Sequence, residues 1–247
     1  MTYFIFEGVL NLGKQYELKG EESSHITKSR RLRPGDRFLI QDQQGQRFEA
    51  ILKSFDRNGL LFTPQKPVAI PPASSLRIEI LQALPKQKAL AFILQKTTEL
   101  GVSRLDVFCG IYSPKTFRAS EKQHQLKRWQ RIVSEASKQC GRQFAPEIHF
   151  HPDISTTLET LPECPNSWML VPEAADAVSW KKISSSENDI IKHHRLLVGP
   201  EGGFHQDEIK LSLRSGMLPV YLGPRIMRSE TAAMSAVSIL QFLWGDL

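Results

Sequence analysis

Apolar and polar side chains alternate along the first part of the chain. The segments 37–41 and 46–53 show this pattern, and the turn-forming residues 42–45 and 56–59 follow them. Alternation at hairpin spacing predicts a small, mostly β domain, a barrel or a sandwich. A proline-rich stretch comes next, with Pro64, Pro67, Pro71 and Pro72. Because proline lacks an N–H and fixes φ, we expect an extended linker there and a domain boundary near residue 70.

Beyond that boundary, short apolar runs alternate with stretches of helical periodicity. The runs that predict strands are 76–81, 105–108, 148–150, 168–171, 196–198 and 220–222. Between them apolar side chains recur every three to four residues, as on one face of a helix. Strands that alternate with helices predict a parallel sheet covered on both faces. The expected fold is therefore α/β, with one domain over 1–70 and a second over 71–247.

The charge of the chain favours an anionic partner. Its 247 residues carry a formal net charge of +6, and the sequence pI is about 9.3. A positive balance suits nucleic acid, a membrane surface or a nucleotide, without choosing among them. The densest basic cluster contains Lys28, Arg30, Arg31 and Arg33. Its residues are candidates for RNA binding, and the alternative is a solvated helix end.

The sequence lacks the motifs that several classes of protein carry. No run approaches the ~20 apolar residues that a membrane span needs, and the N-terminal residues do not resemble a secretion signal. We therefore expect a cytoplasmic protein without a membrane partner. His149 and His151 alternate with Ile148 and Phe150, as residues on one face of a strand would. No second cluster of metal-ligating residues stands out near them in the sequence, so no metal is expected. The glycine fingerprints of dehydrogenases and NTPases, and the elbow of α/β-hydrolases, are also missing.

Two loops rich in glycine and proline form the strongest candidate site. Residues 199–203 follow the apolar run 196–198, and residues 223–229 follow the run 220–222. In a parallel sheet, ligands bind at the carboxyl ends of strands, near helix N-termini. Glycine lets the main chain approach a ligand closely. The pair of loops predicts a bipartite ligand site, and Ser229 is expected to cap the last helix.

Further segments carry a resemblance to a known family. With Gln95–Val102 and Glu135–Arg142, the two loops resemble the ribosomal RNA small subunit methyltransferase E family, of the SPOUT class. The similarity covers nearly the whole chain, and the segment 222–236 is its most specific part. Residues 25–36 match the family pattern His-x-x-x-Val-Leu-Arg-x-x-x-Gly-Asp but depart from it at Ser29-Arg30. The first three residues also lack the arginine often found there.

The resemblance implies a fold, a cofactor and a substrate. The expected fold is an N-terminal PUA-like RNA-binding β-barrel followed by a SPOUT α/β domain with a deep trefoil knot. The implied cofactor is S-adenosylmethionine, and the implied reaction is methylation of N3 of one uridine in 16S rRNA, in the 30S ribosomal subunit. The family also implies a homodimer formed through the knotted domain.

Carried over by position, the resemblance also implies a set of cofactor-binding residues. They are Leu170, Pro172, Val198, Gly199, Pro200, Glu201, Gly202, Gly203, Leu222, Gly223, Ile226, Met227 and Ser229.

The reaction itself suggests catalytic candidates. Uracil N3 must lose a proton, and the charge that develops on the ring needs a cation or an N–H group. Arg228 is the first candidate for this role and Arg225 the second, with phosphate contact alone as the alternative. Glu201 is a candidate proton acceptor or cofactor-orienting group, or else a carboxylate that stabilises a loop or helix N-terminus.

Two other functions remain open at this point. One keeps the enzyme class but changes the target, to a ribose 2′-hydroxyl or to another RNA. The other is a non-catalytic ribosome-binding module, in which the basic cluster holds RNA and the second domain is structural.

Overall fold

The computed structural model describes residues 2–24, 26–27, 31–114, 121–172, 177–180 and 192–247. The chain divides into two compact units. The first consists of Met1–Ala73 with Ser137–Phe144, and the second of Ser74–Ala136 with Ala145–Leu247.

The first unit is a curled five-stranded sheet. Its elements are β1 (Tyr3–Ile5), β2 (Tyr16–Leu18), α1 (Gly20–Ser24), β3 (Arg37–Gln41), β4 (Arg47–Phe55) and β5 (Leu60–Pro67). The strand order is β1-β3-β4-β5-β2, with β1 parallel to β3 and the other pairs antiparallel. Phe4, Ile40 and Phe62 fill the core beneath it. The predicted β domain is confirmed, as a PUA-like half-barrel.

The prediction that Pro64 and Pro67 belong to a linker is wrong. Both residues lie within β5, where they pair with β4. β2 pairs with β5 only over Leu60–Phe62, and a bulge interrupts the β4 ladder next to Pro64. Proline is tolerated at bulges and where one side of a strand lacks a partner. The irregular segment begins after Pro67.

Side chains of the first sheet bind a segment that is remote in sequence. The Tyr3 hydroxyl donates to the carbonyl of Arg142, at 2.7 Å. The Arg47 guanidinium donates to the carbonyls of Gly141 and Arg142, at 3.2 and 3.1 Å, and lies 3.9 Å from the centre of the Tyr3 ring. Residues 137–144 are therefore an integral part of this unit.

In the described part of the second unit, seven parallel strands form one sheet. They are β6 (Arg77–Ala83), β7 (Arg104–Phe108), β8 (Glu147–His151), β9 (Asn166–Leu170), β10 (Val178–Ser179), β11 (His193–Val198) and β12 (Leu218–Tyr221). Their order is β10-β12-β9-β11-β6-β7-β8, and every pair is parallel. The parallel sheet expected from the alternating pattern is confirmed.

Helices cover both faces of this sheet. They are α2 (Gln87–Glu99), α3 (Lys122–Cys140), α4 (Ile154–Thr160), α5 (Gln206–Arg214) and α6 (Ser229–Trp244). Neighbouring strand residues point to opposite faces, so Leu196 packs in one core with Val237 of α6, whereas Leu197 packs in the other with Ile154 of α4. Within the described ranges, no helix has the length and apolar character that a bilayer crossing demands.

Two carboxylates lie inside this sheet, fully buried. The side chain of Glu79 accepts hydrogen bonds from Arg195, at 2.8 and 3.0 Å, and Asp106 accepts from Arg104. Burial alone would raise the pKa of the Glu79 carboxyl, but the hydrogen bonds and charge of Arg195 outweigh it, aided by His193. The pKa of Glu79 therefore lies below its ordinary value, and the carboxylate stays ionised.

We predict that Glu79→Met lowers the free energy of unfolding by about 3–5 kcal/mol at pH 7, because the charge of Arg195 would remain buried without a carboxylate to balance it. The depressed pKa makes this contribution complete above about pH 5 and removes it as the pH falls through the folded-state pKa. Denaturant unfolding across pH should show the gap between variant and wild type closing in acid. The control is Glu99→Met at the partly exposed Lys96–Glu99 pair, with less than about 1 kcal/mol expected. Equal losses in both variants would contradict the prediction.

Candidate functional site

The two glycine-rich loops of the second unit meet at one edge of the sheet. The first loop (residues 199–203) follows β11, and the second loop (residues 222–228) follows β12. Only β9 separates these parallel strands, so their carboxyl ends lie at the same edge. The Ser229 hydroxyl, just after the second loop, donates a hydrogen bond of 2.6 Å to the carbonyl of Gly199. This bond therefore ties the first loop to the residue that directly follows the second loop.

A cavity of about 640 Å³ lies between the two loops. Every residue that the resemblance assigns to the cofactor lines it: Leu170, Pro172, Val198, Gly199, Pro200, Glu201, Gly202, Gly203, Leu222, Gly223, Ile226, Met227 and Ser229. The structure thus brings together three segments that are separate in sequence, residues 170–172, 198–203 and 222–229.

Several apolar residues of the cavity were not identified from the sequence. They are Met169, Val171, Ala177, Phe204, Ile209, Leu213, Pro219 and Ala232. Most belong to strands and helices whose periodic apolar positions predict core packing equally well. Three of them could have been identified by their position in the sequence, because Met169, Val171 and Phe204 each directly neighbour a residue that the resemblance assigns to the cofactor.

Two glycines have backbone angles that other residues rarely adopt. Gly203 has a φ of 72° and donates its N–H to the carbonyl of Pro200, at 3.0 Å, which closes a tight turn in the first loop. Gly223 has a φ of 135° at the start of the second loop. Positive φ strains residues that carry a Cβ. These glycines therefore let both loops turn back towards the cavity.

Glu201 is tied to the start of a helix. It is exposed and lines the cavity, and its Oε1 accepts a hydrogen bond of 3.2 Å from the backbone N–H of Lys86, the residue before α2. This contact fits the loop-stabilising alternative for Glu201 and anchors the first loop to the neighbouring strand-helix connection.

The two candidate arginines occupy different positions. Arg225 is exposed and lines the cavity. Arg228 is exposed, lies outside the lining, and is the N-cap residue of α6 without a side-chain capping bond. The expectation that Ser229 caps this helix is wrong, because Ser229 is already the first helical residue and its hydroxyl bonds the carbonyl of Gly199 instead.

Glu208 is a supporting residue that the sequence did not reveal. It is buried, and its Oε2 accepts from the backbone N–H of His205, while His205 Nδ1 accepts from Asp207. This reciprocal arrangement is a capping box, which fixes the start of α5 just after the first loop. The other oxygen of Glu208 accepts from the N–H of Ile111, at 3.0 Å. The spacing of His205 and Glu208 was the available signal.

The basic cluster belongs to the first unit and is described in part. Arg31 and Arg33 are exposed, whereas Lys28 and Arg30 lie outside the described residues. Arg31 has a positive φ of 53°. The backbone N–H of Arg33 donates to the Asp36 carboxylate at 2.7 Å, which holds the turn before β3. Two of the four predicted RNA-binding residues are thus presented to solvent.

The cavity offers apolar walls and main chain rather than metal ligands. Across the described ranges of the chain, no group of three His, Cys, Asp or Glu residues could hold a metal ion. A site of this kind suits an organic ligand whose orientation is set by backbone groups at glycine-rich loops.

Comparisons with known proteins identify the family. Residues 72–241 match the family model for an RNA methyltransferase domain, and residues 18–65 match that for an RNA methyltransferase PUA domain. Ribosomal RNA small subunit methyltransferase E of Synechocystis is 30% identical, over 89% of this chain and 70% of that protein. The chain belongs to the ribosomal RNA small subunit methyltransferase E family. The family resemblance drawn from the sequence is confirmed.

Other members of the family are similar to this chain over nearly its full length. The methyltransferase E of Buchnera aphidicola is 27% identical over 97% of this chain and 92% of that protein. The crystal structure of the Neisseria gonorrhoeae member, bound to S-adenosylmethionine, is 27% identical. It covers 100% of this chain and 99% of that one, with a TM-score of 0.88. The fold of the whole chain is therefore that of the family.

Proposed function

We propose that this protein methylates N3 of a specific uridine in 16S rRNA of the 30S subunit, with S-adenosylmethionine as methyl donor. The observation that carries the proposal is the convergence of both glycine-rich loops on one cavity, closed by the bond between Ser229 and Gly199. The solved Neisseria relative holds the same cofactor, and the curated relatives are named as methyltransferases of small-subunit rRNA. A ribosomal substrate implies action in the cytoplasm.

The cavity fits the cofactor in size and in chemistry. Its volume of about 640 Å³ falls within the ~300–1,000 Å³ of typical ligand sites. When bound, S-adenosylmethionine supplies a methyl group already activated by its sulfonium. The residues of this chain then have to orient the donor, align the acceptor nitrogen and exclude water. The glycines and apolar walls of the cavity suit that task without a metal.

The remaining chemical demand is charge stabilisation on the uracil ring. We assign this role first to Arg228, which is exposed beside the cavity residues Met227 and Ser229, and second to Arg225, which lines the cavity. Glu201 has the loop-tethering role that its bond to Lys86 supports.

We also propose that the two parts of the chain have different roles. The boundary near residue 70 separates a PUA-like RNA-binding part from the methyltransferase part, and the deep trefoil knot of the family lies in the latter. Within the first unit, the exposed Arg31 and Arg33 support an RNA-binding role.

The proposal also includes a homodimer formed through the second unit. Phe92 of α2 and Phe242 of α6 are 44% and 75% exposed, and α2 packs against α6. Burying such aromatic side chains against a second copy would be favourable. Light scattering should give twice the 28.0 kDa chain mass. The substitution Phe242→Glu should lower the measured mass towards that of a single chain. A wild-type mass of one chain would remove the dimer from the proposal.

The decisive experiment uses 30S subunits from cells that lack this protein. The purified chain and labelled S-adenosylmethionine should transfer one methyl group per subunit, and nucleoside mass spectrometry should identify 3-methyluridine. A 2′-O-methyl product, or label in another RNA, would refute the assigned target. Absence of both transfer and calorimetric cofactor binding would favour the ribosome-binding module.

For Arg228→Ala we predict a loss of about a hundredfold or more in methylation rate, the usual effect of removing a donor that stabilises developing charge. Cofactor affinity should be unchanged, because Arg228 does not line the cavity. Single-turnover methylation and calorimetry give the two readings. The control is Arg214→Ala, which removes an exposed arginine at the end of α5. Wild-type turnover in Arg228→Ala would eliminate its assigned role.

For the double reversal Arg31→Glu with Arg33→Glu we predict weaker and less salt-dependent binding to 30S subunits. Each lost phosphate contact should reduce the slope of log affinity against log salt by about one. The control is Lys53→Glu with Arg57→Glu, an equal change of net charge at exposed positions of the same unit. If both double variants bind alike, the effect reflects net charge and the cluster is not an RNA contact.

A further inference from the structure

A buried glutamine lies behind the junction of the two loops. Gln82, on β6, is 0% exposed and does not line the cavity. Its side-chain amide nitrogen lies 3.0 Å from the Ser229 Oγ and donates to it. The Ser229 hydroxyl in turn donates to the carbonyl of Gly199. A chain of hydrogen bonds thus runs from the carboxyl end of β6 through Ser229, the first residue of α6, to the first loop.

The surroundings of the Gln82 amide determine its orientation. Its nitrogen is 2.8 Å from the carbonyl oxygen of Ala83 and 3.4 Å from those of Val198 and Gly199. An amide oxygen in that position would face three carbonyl oxygens and could accept only from Ser229, which would then give up its bond to Gly199, so the NH₂ group points there. A donor-only contact leaves the Ser229 hydroxyl hydrogen free to bond Gly199. Gln82 therefore sets the direction in which Ser229 donates.

We propose that Gln82 is a positioning residue, which holds Ser229 in the orientation that keeps the two loops at the spacing required to bind the cofactor. The inference rests on the proposed function, since it concerns affinity for S-adenosylmethionine. Gln82 itself touches neither cofactor nor substrate, because it lies outside the cavity lining. Its shorter contact with the loop junction is the one to Ser229, at 3.0 Å, whereas the carbonyl of Gly199 lies 3.4 Å away.

Gln82→Met removes the donor and keeps a side chain of similar length. We expect cofactor affinity to fall about tenfold by calorimetry, the effect of one lost buried hydrogen bond. In the Ser229→Ala background the same substitution should change affinity by less than about twofold, because the hydrogen bond to Ser229 is already gone and, towards the first loop, only the longer contacts with Val198 and Gly199 are left to lose. Gln82→Asn, one methylene shorter, keeps a buried amide but should also lose affinity.

The matched control is Gln241→Met. Gln241 is a second fully buried glutamine of the same unit, which accepts from Ser74 and donates to the carbonyl of Leu100, away from the cavity lining. Its substitution should lower the thermal midpoint much as Gln82→Met does, with cofactor affinity unchanged. This control separates positioning from general loss of stability.

Wild-type affinity in both Gln82 variants, full additivity with Ser229→Ala, or an equal affinity loss in Gln241→Met would each overturn the positioning role. Such results, obtained with a wild-type chain that binds S-adenosylmethionine, would leave the proposed function intact. A wild-type chain that does not bind the cofactor would overturn both proposals together.

Discussion

The hydrogen bond from Ser229 to Gly199 is the interaction on which the candidate site depends. A carbonyl just past the end of a strand has no ladder partner, and a buried polar group without a partner is costly. Ser229 satisfies this carbonyl from the first turn of the last helix. The same bond brings a loop after β11 against a loop after β12 and leaves the cavity between them. The parallel sheet makes this possible, because it places both loops at one edge.

Much of this architecture could be predicted from the sequence. Alternating patterns gave the hairpins of the first unit, and the apolar runs gave the strands of the second, because both periods follow from local geometry. The two loops were recognisable because their glycines and prolines are dense and follow apolar runs. Their convergence needed one further physical rule, that parallel strands end together, and the family resemblance supplied the cavity residues.

The features that the sequence did not predict depend on neighbours remote in the chain. Gln82 and Glu208 are polar residues at buried positions, and their partners lie 147 and 97 residues away. Proline density alone predicts a linker at Pro64. A proline fits within β5 because β2 stops pairing at Phe62, and local sequence does not show where that pairing stops. Ser229 has the residue type of a helix cap, yet its partner lies across the sheet edge. Propensity describes a residue and its immediate sequence, whereas these roles are set by tertiary contacts.

The composition of the first unit bears on how the protein could be dissected. Tyr3 and Arg47 donate to main-chain carbonyls of residues 141 and 142, so the first unit includes a piece of chain from far downstream. A fragment ending near residue 73 would lose these hydrogen bonds and expose the Tyr3 and Arg47 side chains to water. Truncation near residue 73 would therefore give an incomplete β domain. An intact isolated domain would also need residues 137–144, joined to it by a linker.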